Sequence, residues 1–251
     1  MYSPIKTLNF TGGYPEKEVL RNLELNLPKG QFSALIGPNG SGKSTFVKYL
    51  IKGLQPLPHT LYLGNKDITK IKQEENATLI STVNQTNHLP TGFSVFEITQ
   101  MGQYNQKIND KENVLKALAL THTLKFKDQM INTLSIGQQQ MVLLARAICQ
   151  NTETIVLDEP FNNLDINHTQ LLLKILKDLI QNENKTIFCI MHDLNLVLSY
   201  FDYCFLLGKN GKIYSQGTPE ETITQESLKS VYEINAKFII NPETSKKIII
   251  V

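Results

Sequence analysis

Cysteine is scarce in this 251-residue chain: Cys149, Cys189 and Cys204 form no Cys-x-x-Cys pair. The first two lie inside the apolar runs AICQ and TIFCIM. Cysteine in such runs acts as a small buried hydrophobe, so a reducing compartment is expected. Long apolar runs are missing as well, since no stretch reaches the ~18 residues that a membrane-spanning helix requires. The opening MYSPIKTLNF has neither a charged n-region nor a continuous apolar h-region. The chain is therefore expected to be neither secreted nor membrane-crossing. Charge of one sign is also lacking: 25 Lys plus Arg stand against 23 Asp plus Glu, a net of +2. That balance gives no long-range field to draw in nucleic acid or an anionic membrane surface, and no nucleic-acid partner is expected. Low-complexity segments and internal repeats are absent, and each motif below occurs once.

What is present suits one large or two intimate domains, because 41% of the residues are hydrophobic and a chain of this length can bury a core without disulfides or a structural metal. The first third has strand periodicity: Val19, Leu23, Leu25 and Leu27 fall at even separations, and Phe32, Ala34 and Ile36 form a second short strand. From Lys43 to Ile51 the pattern turns helical. Residues from about 85 to 134 are polar and helix-rich and read as a helical insertion. After them come strand TIVLD, helix HTQLLLKILKDLI, strand TIFCIM, helix LNLVLSYF and strand CFLLG. Strands alternating with helices at short spacing predict a parallel sheet covered by helices. Asn210-Gly211 predicts a hairpin, Thr218-Pro219 with Glu221 a capped helix start, and KFIINPETSKKIIIV a closing hairpin.

Gly37-Pro38-Asn39-Gly40-Ser41-Gly42-Lys43-Ser44-Thr45 fits G-x-x-x-x-G-K-[ST] between a buried strand and a helix start. A triphosphate needs many donors in a small volume. Glycines let successive backbone N–H groups point inward, and the helix presents its positive end. Lys43 can then bridge the β- and γ-phosphates of ATP, Ser44 can ligate Mg²⁺, and Thr45 can reach the α-phosphate. Thr154-Ile155-Val156-Leu157-Asp158-Glu159 is an apolar strand ending in two acids, where open α/β sheets present their ligands. Asp158 can hold the Mg²⁺ shell while Glu159 polarises a water aimed at the γ-phosphate.

With these two motifs the chain resembles the ATP-binding subunit of an ABC transporter, over nearly its whole length. Leu134-Ser135-Ile136-Gly137-Gln138 is similar to the family's LSGGQ signature at a helix start. In the family that segment completes the ATP pocket of the opposite subunit, which implies a head-to-tail homodimer. By the same resemblance, Tyr14 stacks on adenine with Val19 nearby, Gln85 senses Mg²⁺ and the attacking water, Asp165 passes signals across the dimer, and His192 contacts the γ-phosphate. The fold so implied is a P-loop NTPase (RecA-like) core with an N-terminal antiparallel β-region, residues 1–85 and 151–251, and a helical subdomain, residues 86–150.

Among the family's branches, SVFEITQMGQY, LDINH, MHDLNLVLSYFDY and GKIYSQGTPEE look like the subunits serving importers of iron-siderophore, haem or cobalamin. That resemblance implies polytopic permease partners, an indirect partnership with a substrate-binding protein, and a peripheral location at the cytoplasmic face of the membrane. Two alternatives stand beside it: an ABC ATPase for another cargo, and a soluble ABC switch without a permease. Departures from the family pattern are Ile136 for the second signature glycine, Gln139 and Met141 where basic residues are common, and Phe161 for a frequent Thr. A β-branched Ile resists positive φ, so the backbone at 136 is expected to be helical or extended.

Overall fold

The computed structural model describes residues 3–84, 92–105, 109–242 and 244–250. By its internal contacts the chain forms two compact units, Met1–Lys72 with Thr186–Val251, and Gln73–Lys185.

In the first unit, strands Phe32–Ile36 and Thr186–Ile190 are buried at every position. Such continuous burial is what a parallel strand covered on both faces requires. Phe32–Ile36 pairs in parallel with Thr186–Ile190 on one side and with Tyr203–Leu207 on the other, and Ile213–Gly217 closes that edge antiparallel. The registers place Cys189 and Cys204 on opposite sides of Ala34. Two strand spacings of about 4.8 Å each separate them, too far for a disulfide, and all three cysteines are free and buried. The expected antiparallel region is there: Ile5–Thr7 pairs with Leu61–Leu63, and Phe10–Tyr14 with Lys17–Leu23. The closing hairpin pairs Lys237–Ile240 with Lys247–Ile250.

One local expectation is corrected. Val19 does not share a buried face with Leu23, Leu25 and Leu27; Leu20 is buried instead, and the strand ends at Leu23. The phase slips at Asn22, which adopts φ 47. The hairpin predicted at Asn210-Gly211 is present, joining Tyr203–Leu207 to Ile213–Gly217. Leu207 faces Ile213 across the ladder, and only Gly211 of the pair has positive φ, at 76°. Asn210 uses its side chain to accept from the Lys212 N–H at 3.2 Å, which supports a longer connection.

A series of edge-on aromatic contacts ties the unit together. Tyr49 meets Phe10 with ring centroids 5.0 Å apart, Phe10 meets Phe46 at 6.0 Å, Phe46 meets Phe188 at 6.4 Å, and Phe188 meets Phe205 at 6.3 Å. The helix Lys43–Leu50 is thereby fixed between the N-terminal hairpin and the sheet.

In the second unit, Ile80–Val83 and Thr154–Asp158 run parallel, with Val83 opposite Leu157. Helices Val95–Gln100, Lys111–Leu120 and Ile136–Cys149 enclose a core of Val95, Ile98, Val114, Leu118, Val142 and Ala145 among others. Met141 is buried, so the place where the family often has a base is a packing position in this chain. Helix Ile166–Glu183 presents Leu172, Ile175, Leu176 and Leu179 inward at helical spacing.

Phe188, the fourth of the five rings in the aromatic series, is fully buried. Phe188→Ala is expected to lower unfolding stability by about 3–5 kcal/mol, from lost burial plus the cavity left behind. Urea denaturation followed by far-UV circular dichroism measures it.

Candidate functional site

Strand Phe32–Ile36 delivers the chain into the loop 37–42, and helix Lys43–Leu50 begins at once. Its N-cap is Gly42, at φ 110, and no side chain caps it. Six other helices contrast with this. Ser94, Asp110, Ser135, Asp165, Asp193 and Thr218 each cap a helix by accepting from its first-turn N–H groups. A helix start left without a side-chain acceptor keeps its donors and its positive end for an external anion. Gly42 is also required by packing, since a Cβ there would lie 2.7 Å from Leu20 and 2.9 Å from Val19.

Lys43 is buried, and its ammonium donates to the carbonyls of Gly37 at 2.8 Å and Pro38 at 3.1 Å. The cation therefore sits inside the loop, and these two carbonyls are neutral acceptors that a phosphate oxygen can replace. Ser41 is buried, and its Oγ has no hydrogen-bond partner among the described residues. Ser44 is exposed and Thr45 buried on the first helical turn.

Tyr14 ends strand Phe10–Tyr14 and is 42% exposed, as a stacking platform must be. Two residues not anticipated from the sequence hold it. Tyr49 Oη accepts from the Gly13 N–H at 2.7 Å and donates to the Gly13 carbonyl at 3.0 Å. Lys48 Nζ donates to Tyr14 Oη at 3.0 Å and lies 5.3 Å from the ring centroid. That hydrogen bond, followed by one from the Thr45 side chain, holds the Tyr14 phenol below its ordinary pKa. The available signal was helical spacing, because Lys48 stands one turn beyond Ser44. His192 follows strand Thr186–Ile190 and is exposed. Ile190 is paired with Leu35 and Met191 N–H bonds the Leu35 carbonyl at 3.0 Å. His192 thus leaves the sheet at the same end as the glycine-rich loop. The first unit accordingly carries Tyr14, Val19, residues 37–45 and His192.

The second unit carries the other candidates. Asp158 closes its strand, and Glu159 adopts φ 52, a left-handed conformation uncommon for glutamate. That conformation interrupts the strand alternation and aims the carboxylate, which accepts a hydrogen bond from Asn162 Nδ2. Ser135 caps helix Ile136–Cys149 in a reciprocal box: Gln138 N–H donates to Ser135 Oγ at 3.3 Å, and Ser135 N–H to Gln138 Oε1 at 3.0 Å. Ile136 is helical and 65% exposed, in agreement with the restriction on its φ. Asp165 caps helix Ile166–Glu183 by accepting from His168 N–H at 2.8 Å. This backbone hydrogen bond, and then the one from the His168 side chain, lowers the Asp165 pKa. Gln85 lies outside the described residues.

A buried strand running through an uncapped glycine-rich loop into a helix, in a parallel sheet, defines a P-loop nucleoside triphosphatase. The sequence pattern of the ABC transporter family matches residues 20–162, and this chain belongs to that family. It is 32% identical over 243 residues to the iron(3+)-hydroxamate import ATP-binding protein of Bacillus subtilis (strain 168), covering 94% of this chain and 90% of that protein. An inward-facing metal-chelate type ABC transporter superposes with a TM-score of 0.84 at 25% identity, covering all of this chain and 97% of the other. A dimeric ATP-binding cassette in a post-hydrolysis state, bound to ADP and phosphate, gives 0.75 at 25% identity, covering 86% of this chain and 98% of the other.

Lys43→Ala removes the one charge held inside the loop. ATP affinity measured by titration calorimetry is expected to fall below detection while the circular dichroism spectrum is retained; an unchanged affinity would take the loop out of the site.

Proposed function

We propose that the chain is the ATP-hydrolysing subunit of an ABC importer, driving uptake of an iron-siderophore, haem or cobalamin type cargo through a partner permease. The observation that carries this reading is the anion cradle around Lys43, uncapped and already charged, in a chain of this family. Two copies pair head to tail with ATP between them. Each pocket takes residues 37–45, Gln85, Asp158, Glu159 and His192 from one copy and Ser135, Gly137 and Gln138 from the other, with Asp165 at the seam and adenine resting on Tyr14.

In that pocket Lys43 exchanges the Gly37 and Pro38 carbonyls for β- and γ-phosphate oxygens. Glu159 accepts a proton from the attacking water as its oxygen bonds to the γ-phosphorus, and the bond to the leaving ADP breaks. His192 donates to the γ-phosphate. Mg²⁺ would be held by Ser44, Gln85 and Asp158. These are hard oxygen donors, and no group of three or more His, Cys, Asp or Glu suited to a metal occurs among the described residues. A site that needs substrate phosphates to complete its shell suits this ion, which when bound neutralises phosphate charge.

The permease contact is assigned to the insertion. A cavity of about 420 Å³ there is lined by Phe93, Glu97, Gln100, Met101, Gln103, Tyr104 and Asn109. Tyr104 is 89% exposed beside it, with Met101 and Phe93 also exposed. An exposed aromatic and apolar patch with a polar rim suits a protein partner. No helix among the described residues is long and apolar enough to cross a membrane. The proposed association is through the permease, at the cytoplasmic face. A substrate-binding protein acts on the far side.

Glu159→Gln is expected to keep ATP affinity, abolish steady-state phosphate release and accumulate an ATP-dependent dimer on size exclusion; near-wild-type turnover would remove Glu159 as the base. Tyr104→Asp is expected to reduce recovery of a polytopic membrane protein with the chain from detergent-solubilised native membranes. Equal recovery with both forms would move the docking surface elsewhere.

A further inference from the structure

The segment LDINH holds a histidine beside the helix-capping Asp165. His168 lies three positions after Asp165, in the first turn of helix Ile166–Glu183. Its Nδ1 is 3.0 Å from Asp165 Oδ1 and 2.9 Å from Oδ2. Both partners are carboxylate oxygens, so Nδ1 carries the hydrogen and donates. The same imidazole lies over Gly137. A Cβ on Gly137 would come within 3.3 Å of His168 Cγ and 3.4 Å of Cδ2 and Nδ1.

Gly137 occupies the second position of helix Ile136–Cys149, where glycine is a poor helix former. It is not among the positive-φ glycines. Backbone conformation therefore does not require glycine here, while an added Cβ would press on the ring at the tight edge of van der Waals contact. One side chain touches both the signature helix and the Asp165 loop, segments almost thirty positions apart.

We propose that His168 is a positioning residue for ATP turnover: it sets the Asp165 carboxylate and the start of the signature helix as one preformed surface for the second copy. This rests on the head-to-tail dimer of the preceding section, in which both segments face the opposite subunit. With His168 in place, pairing need not first order two separate segments, which lowers the entropy lost on closure. The role lies in turnover and not in nucleotide capture, since His168 has no part in the loop at residues 37–45.

The test compares the full chain with His168→Asn and His168→Gln. Asparagine places its amide N–H where Nδ1 stands and keeps the donation to Asp165, whereas glutamine places its amide further out, near the position of Nε2. The backbone N–H cap on Asp165 is common to both. His168→Asn is expected to keep kcat within about twofold, and His168→Gln to lower it about tenfold, the scale of one lost charge-assisted hydrogen bond. ATP affinity by titration calorimetry is expected to be unchanged in both. Equal kcat in the two variants, or a fall in affinity that accounts for the loss in His168→Gln, would overturn the proposal. As a second measurement, Gly137→Ala is expected to lower the melting temperature less in a His168→Ala background than in the wild type, because the ring it meets is gone; an equal loss would overturn the contact. A wild-type chain that neither binds nor hydrolyses ATP would instead overturn the proposed function.

Discussion

A helix end holds an anion most readily where the protein has not already satisfied the donors there. The loop at residues 37–42 meets that condition by placing Gly42 where six other helices place Ser, Thr or Asp. Much of the first unit serves this point. The fully buried strand Phe32–Ile36 fixes where the loop begins, and the aromatic contacts through Phe46 fix the axis of the helix behind it. Val19 and Leu20 press on Gly42 and leave no room for a side chain. Lys43 donates to two backbone carbonyls, each of which a charged phosphate oxygen can replace.

The same packing reaches outward to the rim of the site. Tyr49 faces the core through Phe10 and grips Gly13 with its hydroxyl, so the strand that ends in Tyr14 is registered against the helix that starts the phosphate cradle. Lys48, on that helix, then orients the Tyr14 ring. In the second unit an analogous economy appears at the surface. Asp165 caps one helix through the backbone of His168, and the imidazole of that residue rests on the glycine that opens another.

Much was legible before any coordinates, and for a common reason. The phosphate loop, the acidic strand end and the cap at Thr218 are each written within a few consecutive residues, because their partners are neighbouring backbone groups. The restriction on Ile136 followed from its β-branch alone. What failed also failed locally: the alternation through Val19 was broken by the left-handed Asn22. That conformation leaves no mark in hydrophobic spacing.

The sequence by itself determined the class of chemistry, since donors, glycines and acids at fixed short spacings suffice to specify a triphosphate site. It also determined the alternation of strand and helix that puts such a site at a strand end. Tertiary structure alone decided that Tyr49 and Lys48 hold Tyr14, that Val19 and Leu20 enforce Gly42, and that His168 joins Gly137 to Asp165. These contacts join residues far apart in the chain. Their existence depends on how whole elements pack, which no local pattern of residues encodes.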